Sequence, residues 1–322
     1  MQVARFDRCS RRIASLPRRG VREEALSRHL GIVWVTFLVA CSGSVPSGPS
    51  RDAGPRRDGG FATSSTKAFS LMTWNLENFP KTPQTSTVVS ALLDELAPDL
   101  VGVQEIDDEA TFRFFLTQHP DYDGSWVRGE QRIAVGYMYR VDRLRVSNVE
   151  SLFRTDRSAF PRSPIQAFVE VLGPDGEVRF DFNFITVHLK AQVDFDSQER
   201  RRDAIEKLDD YLTTQLATGG EQDWIVVGDY NDRLTDSGAR NVFTRMLDQP
   251  DKYTFLTRGL EEGGAYSYIP IPGFIDHILV TNDALGEYGA GKTEVLELER
   301  TQEGYVALVS DHRPVRAIFE LP

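Results

Sequence analysis

The chain has 322 residues and carries 37 Lys and Arg against 48 Asp and Glu, a formal net charge of −11. Its 40% hydrophobic content is too high for a wholly disordered protein. Its acidity excludes a protein that coats nucleic acid through bulk positive charge. The charge is unevenly distributed, since residues 1–40 carry +5, residues 41–67 carry +2 and residues 68–322 carry −18. The last of these stretches is long enough for one large domain with a substantial core.

The N-terminus has the pattern of an export signal. A basic stretch precedes an apolar run at 30–40, which is short for a membrane span and typical of the core of a secretory signal. The run ends in Leu-Val-Ala-Cys at 38–41, which resembles the lipobox of bacterial lipoproteins. We therefore expect a lipoprotein signal peptide at 1–40, lipidation at Cys41 and a lipid-anchored location at the bacterial cell envelope, on the periplasmic face or the cell surface. A buried strand that happens to end in cysteine is the alternative.

A tether and one catalytic domain are expected after the signal. Residues 41–67 are rich in Ser, Gly, Pro and Arg, a composition typical of a flexible linker. The domain is predicted to span 68–322. Cys9 and Cys41 are the two cysteines of the sequence. Removal of the signal and acylation of Cys41 would therefore leave the domain without a disulfide.

From residue 68 onward, short apolar runs alternate with polar turns. Strands are predicted at 69–74, 100–104, 133–139, 166–172, 179–187, 223–228, 275–280 and within 306–319. Helices are predicted at 84–96, 107–118 and 198–216. Strands of both alternating and continuous apolar type, with few helices, predict an α/β fold in which two sheets pack face to face and helices cover them.

Polar and ionisable side chains accompany the ends of these strands. They are Asn75, Glu77, Gln104, Glu105, His188, Lys190, Asp229, Asn231, Asp232, Asp276, His277, Asp311 and His312. Each group alone is more typical of a turn or a solvated surface pair. Because side chains at the same end of neighbouring strands converge in space, the whole set predicts one site.

The residue types of this set indicate a reaction. Carboxylate and amide oxygens suit Mg²⁺ or Mn²⁺, and the spacing of His and Cys does not favour zinc. Two histidines supply groups that change protonation near neutral pH. A metal, a base and a charge stabiliser together fit in-line attack of water on a phosphoester.

The order of the motifs resembles the endonuclease/exonuclease/phosphatase superfamily, the deoxyribonuclease I-like phosphoesterases. The motifs are Trp-Asn-Leu-Glu-Asn at 74–78, Gln-Glu at 104–105, Thr-Val-His-Leu-Lys at 186–190, Gly-Asp-Tyr-Asn-Asp at 228–232, Ile-Asp-His-Ile at 275–278 and Ser-Asp-His-Arg-Pro at 310–314. The resemblance covers 69–319. It implies a four-layer α/β sandwich, with two face-to-face mixed β-sheets flanked by helices.

The resemblance also implies the metal site and the catalytic groups. Glu105 matches the principal metal ligand, and Asn75 and Asp311 complete or support that site, with Mg²⁺ as the expected ion and Mn²⁺ as a possible one. The catalytic set it implies is His188, Asp229, Asn231, Asp276 and His312.

Within that catalytic set, the resemblance implies separate roles. His312 lies near the scissile phosphate, where it takes a proton or stabilises the charge, and Asp276 orients it. Asp229 and Asn231 position the water and the phosphate oxygens, and His188 contacts the phosphate. Members of the superfamily differ in which group is the base.

Residues 128–162 carry eight arginines against four acids. We hypothesise that part of this stretch forms a cationic rim that receives a polyanion, with Arg132 and Arg162 as substrate-binding residues. Pairing of these arginines with neighbouring acidic faces is the alternative. The arginines at 200–202 are expected to form a solvated helix face.

The sequence is compatible with three functions. The favoured one is an exported metal-dependent nuclease, an endonuclease that hydrolyses phosphodiester bonds. The alternative is a phosphatase or phospholipase-like phosphodiesterase acting on small phosphoesters or lipid head groups. A non-catalytic surface protein is disfavoured, because every key position is present. The loops at 120–131 and 258–273 are polar and Gly-rich, which argues against bilayer insertion. We expect a monomer.

Overall fold

The structure is a computed structural model and describes residues 67–129 and 133–321. The predicted signal peptide at 1–40, Cys41, the predicted tether up to residue 66, and Arg132 therefore lie outside the described residues. None of the helices in the described ranges is both long and apolar enough to cross a membrane.

Twelve strands and seven α-helices are found in the described part of the chain. The strands are β1 Ala68–Phe79, β2 Leu100–Ile106, β3 Tyr122–Arg128, β4 Ala134–Arg140, β5 Leu144–Ser151, β6 Ile165–Leu172, β7 Val178–His188, β8 Trp224–Asp229, β9 Tyr253–Phe255, β10 Asp276–Thr281, β11 Lys292–Val295 and β12 Val315–Glu320. The helices are α1 Thr85–Leu96, α2 Glu109–Gln118, α3 Phe195–Ala217, α4 Thr244–Leu247, α5 Arg258–Glu262, α6 Ala284–Tyr288 and α7 Tyr305–Leu308, with 3₁₀ turns at Gly238–Arg240 and Leu298–Arg300.

The strands form two mixed sheets of six strands each. The order in the first sheet is β11-β12-β1-β2-β4-β3, and in the second it is β5-β6-β7-β8-β10-β9. One parallel pair lies at the centre of each sheet, β1 with β2 and β7 with β8, and the other neighbours are antiparallel. The two parallel pairs matter for the site, because their carboxyl ends lie at one edge of each sheet.

Three apolar clusters separate four layers. The inner faces of the two sheets pack on each other, for example through Phe69 and Phe182, whose ring centroids are 5.5 Å apart. Helices α1 and α2 cover the outer face of the first sheet, and α3 and α4 cover that of the second. The structure is thus the four-layer α/β sandwich implied by the sequence motifs.

Local sequence explains where the long helices begin and end. Asp108 caps α2 by accepting hydrogen bonds from the N–H groups of Ala110 and Thr111. Asp194 caps α3 in the same way through the N–H of Ser197. Helix α1 ends at Leu96, and the backbone of the next residue, Ala97, is left-handed. Ala97 precedes Pro98, and the helical conformation is unfavourable for a residue before proline.

Gly228 permits the close approach of β7 and β8 beside the polar edge. Its φ is +151°, and a Cβ atom built there would lie 2.0 Å from the carbonyl oxygen of Val187. A larger residue would push the last residues of the two strands apart. In the Gly-Asp dipeptide at 228–229, the glycine thus allows the two strands to approach and the aspartate supplies a polar group at their end.

The strand predicted within 306–319 is found in the second part of that range and is wrong for its first part. Residues 305–308 form helix α7 and the strand starts at Val315. The motif at 310–314 therefore precedes β12 instead of following a strand. It still reaches the same edge, because β12 runs antiparallel to β1 and the end of β1 lies beside the start of β12. Strands β3, β5, β9 and β11 were not predicted from the sequence.

Candidate active site

The predicted site residues meet at one edge of the two facing sheets. Asn75 and Glu105 lie on the parallel strands β1 and β2 of the first sheet, and His188 and Asp229 end the parallel strands β7 and β8 of the second. Asp276 begins β10 directly opposite Asp229 in the antiparallel register. A hydrogen bond of 3.0 Å from Asn75 Nδ2 to Asp229 Oδ2 joins the two sheets at this point.

His312 and Asp276 form a hydrogen-bonded pair. The Nδ1 atom of His312 lies 2.9 Å from Asp276 Oδ2, and both side chains are buried. The other ring nitrogen, Nε2, lies 3.9 Å from Asp229 Oδ2 and 3.8 Å from Asp311 Oδ1. Burial lowers the pKa of His312, but the Asp276 carboxylate, helped by Asp229 and Asp311, outweighs burial and raises it above its usual value. Asp276 thus holds one ring nitrogen, and the other faces the cleft beside Asp229 and Asp311.

Asp229 is the centre of the arrangement. Its Oδ1 accepts a hydrogen bond of 2.8 Å from the backbone N–H of Asn231, and its Oδ2 lies 3.5 Å from His188 Nε2. Burial and the neighbouring Asp276 carboxylate raise the pKa of Asp229. Asn231 has a left-handed backbone with φ +54° and its amide group bonds Leu189 O at 3.3 Å, so the turn after β8 is fixed in place.

His188 has an environment opposite to that of His312. It is fully buried, Nε2 lies 3.9 Å from Glu105 Oε1, and Nδ1 has no partner among the described residues. Burial, with the charges of Arg162 and His312, lowers the pKa of His188 well below its usual value. The surroundings of the two histidines thus shift their pKa values in opposite directions, which is the pattern expected when two such groups have separate tasks.

The cleft beside the His312–Asp276 pair contains three carboxylates. They belong to Glu77, Glu105 and Asp311. Glu77 Oε2 accepts a hydrogen bond of 2.7 Å from the N–H of Asp311 and pairs with Lys81, and Glu105 Oε2 accepts one of 3.1 Å from the N–H of Asn78. Burial and the charges of Glu77 and Glu105 raise the pKa of Asp311. A divalent cation would relieve this repulsion, and the donors are the hard oxygens that such a cation prefers.

Asn75 is oriented as a support for Glu105. Its Nδ2 points toward Glu105 Oε1 at 3.4 Å and Asp229 Oδ2 at 3.0 Å, while its Oδ1 accepts a hydrogen bond of 2.9 Å from the N–H of Glu77. The sequence predicts that Asn75 completes or supports the metal site, and the contacts of its Nδ2 are those of a supporting residue. In the arrangement described here, Asn75 positions the two carboxylates.

A second group of potential metal ligands, besides the three carboxylates, includes the His312–Asp276 pair. Asp229, Asp276 and His312 each offer a ligand atom, and these atoms lie within 4.8 Å of one another. The Nδ1 atom of His312 is already bonded to Asp276, so this group has the geometry of a proton relay. The carboxylates of Glu105 and Asp311 fit a metal better, because both border the open cleft and are partly exposed.

Four arginines of the stretch at 128–162 show the ion pairing that was the alternative to a cationic rim. Arg128, Arg140, Arg143 and Arg145 pair with Glu109, Asp142, Asp99 and Glu170. Arg162 differs from them: it is buried near the site, its Nη1 bonds Leu189 O at 3.0 Å and its Nε has no partner among the described residues. Burial lowers the pKa of Arg162, and the charges of Glu105 and Asp229 oppose this effect. Its contact with substrate stays a prediction.

Arg201 is a residue whose role sequence reasoning missed, because it was expected on a solvated face. It is buried, and its Nε bonds Asp232 Oδ2 at 2.9 Å. Its Nη1 donates to the carbonyl groups of Lys190 and Gln192, each at 2.7 Å. Arg201 thus fixes the loop that follows His188.

The site lies in an open cleft of about 1050 Å³. Its lining includes the acidic residues Glu77, Glu105 and Asp311 together with His312. The Tyr268 ring stands over His312 with the centroids 5.0 Å apart. A cleft of this size and charge fits a phosphoester together with the groups attached to it.

Fold and site together define a phosphoester hydrolase. Residues 72–312 match the profile of the Endonuclease/Exonuclease/phosphatase family, which is well over half of the chain. The chain belongs to this family, whose members hydrolyse phosphoester bonds and generally depend on a divalent metal.

Several solved structures share the fold. Truncated TDP2 from Caenorhabditis elegans is 14% identical, with 79% of this chain and 97% of that chain covered and a TM-score of 0.58. The human Nocturnin catalytic domain is 16% identical, with 81% and 96% covered and a TM-score of 0.57. A mannosyl-6-phosphatase of Bacteroides thetaiotaomicron is 16% identical, with 79% and 99% covered and a TM-score of 0.54. No curated protein sequence matches the chain. At these identities the likeness establishes the fold and leaves the substrate open.

Proposed function

We propose that this chain is a Mg²⁺-dependent phosphodiesterase and that nucleic acid is its substrate, cleaved as by an endonuclease. The observation that carries the proposal is the juxtaposition, in one open cleft, of the His312–Asp276 pair with the carboxylates of Glu105 and Asp311. Exposed basic side chains at Arg233 and Arg240 border the same cleft and favour a substrate with several phosphates.

Glu105 and Asp311 would hold Mg²⁺, with Mn²⁺ as a substitute, and Asn75 would keep Glu105 in position. The ion supplies Lewis-acid stabilisation of the phosphate oxygens. The protein's own groups bind and orient the reactants around it. Arg162 would offset the charge of Glu105 and Asp229, and Nε2 of His188 lies 3.9 Å from Glu105 Oε1 and 3.5 Å from Asp229 Oδ2.

Hydrolysis joins a water oxygen to phosphorus and breaks the ester bond to the leaving oxygen. The leaving oxygen takes a proton from solvent and departs as an alcohol, which balances the proton that the attacking water loses. Asp229 accepts the proton of the attacking water, and Asn231 fixes this carboxylate through its backbone N–H. The N–H at Nε2 of His312 donates to a phosphate oxygen, and Asp276 holds the ring in the orientation that allows this.

A phosphatase or lipid-directed phosphodiesterase is the second candidate. The mannosyl-6-phosphatase among the structural neighbours carries the same fold, and Val193, Phe195 and Ile271 expose apolar side chains at the cleft. A circular DNA distinguishes the two, because it has no ends and its cleavage requires internal phosphodiester hydrolysis.

The test is incubation of the purified protein with circular DNA, single-stranded and supercoiled, in the presence of Mg²⁺. We expect cleavage that EDTA abolishes and that added Mg²⁺ or Mn²⁺ restores. Metal-dependent hydrolysis of small phosphoesters by folded protein that cleaves neither DNA nor RNA would reject the nuclease proposal and support the second candidate.

We further propose that the enzyme is exported and anchored to the cell envelope by a lipid on Cys41. The apolar run at 30–40 and the lipobox-like motif at 38–41 support this proposal. In a bacterial host, the Cys41→Ala variant is expected to move from the membrane fraction to the soluble fraction. Membrane association that persists in this variant would reject the lipid anchor.

A further inference from the structure

Two loops beside the site expose apolar side chains into the cleft. Val193 and Phe195 lie on the loop after β7 and the first turn of α3, and Ile271 lies on the loop at 268–273. Their exposed fractions are 101%, 76% and 73%. Such exposure has no structural benefit for the free protein, and exposed apolar residues grouped at a cleft indicate a ligand. We call these three residues the apolar walls.

Both walls are held in fixed positions relative to the catalytic groups. Arg201 bonds the carbonyl groups of Lys190 and Gln192, directly before Val193. On the other side, the backbone N–H of Ile269 bonds the carbonyl group of Asp311 at 2.9 Å. The loop at 268–273 is closed by a bond of 3.0 Å between its first and last residues. A group bound between the walls would therefore keep a constant distance from His312 and Asp229.

Two arginines provide positive charge in the same part of the cleft. Arg233 and Arg240 are exposed and line the cleft with the apolar walls. Arg233 Nη2 bonds the carbonyl group of Pro272 at 2.6 Å, which places its guanidinium next to Ile271. An apolar surface interleaved with guanidinium groups suits a ligand that alternates flat apolar faces with phosphates.

We propose that the apolar walls bind an unpaired nucleic-acid strand, so that the enzyme prefers single-stranded over double-stranded substrate. Phe195 packs on the face of a base, Val193 and Ile271 contact its edges, and Arg233 and Arg240 contact the flanking phosphates. In a duplex the base faces are stacked and hidden, so these walls would gain nothing from it. The proposal deepens the nuclease function proposed above and rests on it.

A bilayer surface fits the walls less well. Asp194 and Asp196 alternate with Val193 and Phe195 in the sequence, and both acids are exposed. Asp194 is fixed as the N-cap of α3, with Oδ1 accepting a hydrogen bond of 3.0 Å from the N–H of Ser197. Insertion of this loop would carry two carboxylates into the apolar interface, which is costly. All three apolar side chains also border the cleft that contains the catalytic groups.

The test compares kcat/KM for a single-stranded oligonucleotide, the same sequence as a duplex, and bis(4-nitrophenyl) phosphate. We expect the wild type to prefer the single strand at least about tenfold over the duplex, on the scale of one base–aromatic contact. Phe195→Ala should lower the ratio of kcat/KM for the single strand to that for the small ester by about tenfold. Phe195→Trp should retain that ratio. The matched control is Phe114→Ala, an exposed phenylalanine on α2 that does not line the cleft.

The possible failures are distinguishable. Equal rates on single strand and duplex, or an unchanged ratio in Phe195→Ala, would overturn the proposed strand site while leaving the nuclease function standing. Binding of the wild type to phosphatidylcholine vesicles that Phe195→Ala abolishes would overturn it in favour of a lipid surface. Hydrolysis of the small ester with no cleavage of any nucleic acid would reject the nuclease function itself, and the strand site with it.

Discussion

Replacing His312 with alanine is expected to lower kcat on a phosphodiester by about a thousandfold, with a much smaller change in KM. The reason is that Nε2 of His312 faces the reaction space between Asp229 and Asp311, while Nδ1 is held by Asp276. A positioned proton donor contributes about 10²–10⁴ in rate, and most of that contribution arises in the transition state. Steady-state kinetics with bis(4-nitrophenyl) phosphate in saturating Mg²⁺ would measure it.

Two variants control this experiment. Asp276→Asn keeps the size of its side chain but cannot stabilise the imidazolium, so we expect a loss close to that of His312→Ala. His119→Ala removes a histidine that packs on Phe115 away from the cleft, and its kcat should equal that of the wild type. A His312→Ala enzyme with the wild-type thermal transition and more than a tenth of the wild-type kcat would show that this ring does not take part in the chemistry.

Replacing Glu105 with glutamine is expected to weaken Mg²⁺ binding by at least about a hundredfold, beyond the effect typical of residues that only support a ligand. The substitution removes one charge from the carboxylate cluster and leaves the shape of the side chain almost unchanged. Metal that binds only the folded state raises Tm, by roughly 5–10 °C for this size of domain when the metal is at a hundred times its Kd. We expect this rise in the wild type and at most about 1–2 °C in Glu105→Gln at the same concentration.

Calorimetric titration of Mg²⁺ gives the same comparison directly. Glu177→Gln is the matched control. Glu177 lies in the exposed turn before β7, so this substitution removes the same charge far from the cleft. Its Mg²⁺ affinity should equal that of the wild type. An unchanged affinity in Glu105→Gln would reject Glu105 as the principal ligand and would favour the group of Asp229, Asp276 and His312 instead.

The position of the site was predictable because its chemistry follows local patterns. Asn75, Glu105, His188 and Asp229 all lie on apolar strands at or near their carboxyl ends, and parallel neighbours bring such ends together. Asp276 and the motif at 310–314 reach the same edge from antiparallel strands, at their beginnings. The helix at 305–308 was mistaken for part of a strand, because a run of four apolar residues fits either period.

The groups that were mispredicted depend on contacts between distant parts of the chain. Arg201 is buried because its partner Asp232 lies on another turn, and a row of arginines gives no sign of that. Arg128, Arg143 and Arg145 pair with acids on other elements, so charge counting overestimated the free positive charge of these residues. The exposure of Phe195 was equally hidden, because a phenylalanine at a helix start usually belongs to the core.

The hydrogen bond between Asn75 and Asp229 has a consequence for how activity arises during folding. Asn75 and Glu105 belong to one sheet, and His188, Asp229 and Asp276 belong to the other. Either sheet alone therefore contains only half of the machinery, however well formed it is. Activity therefore requires both sheets in their docked arrangement. We expect the regain of enzymatic rate after dilution from denaturant to follow this docking, and not the formation of either sheet alone.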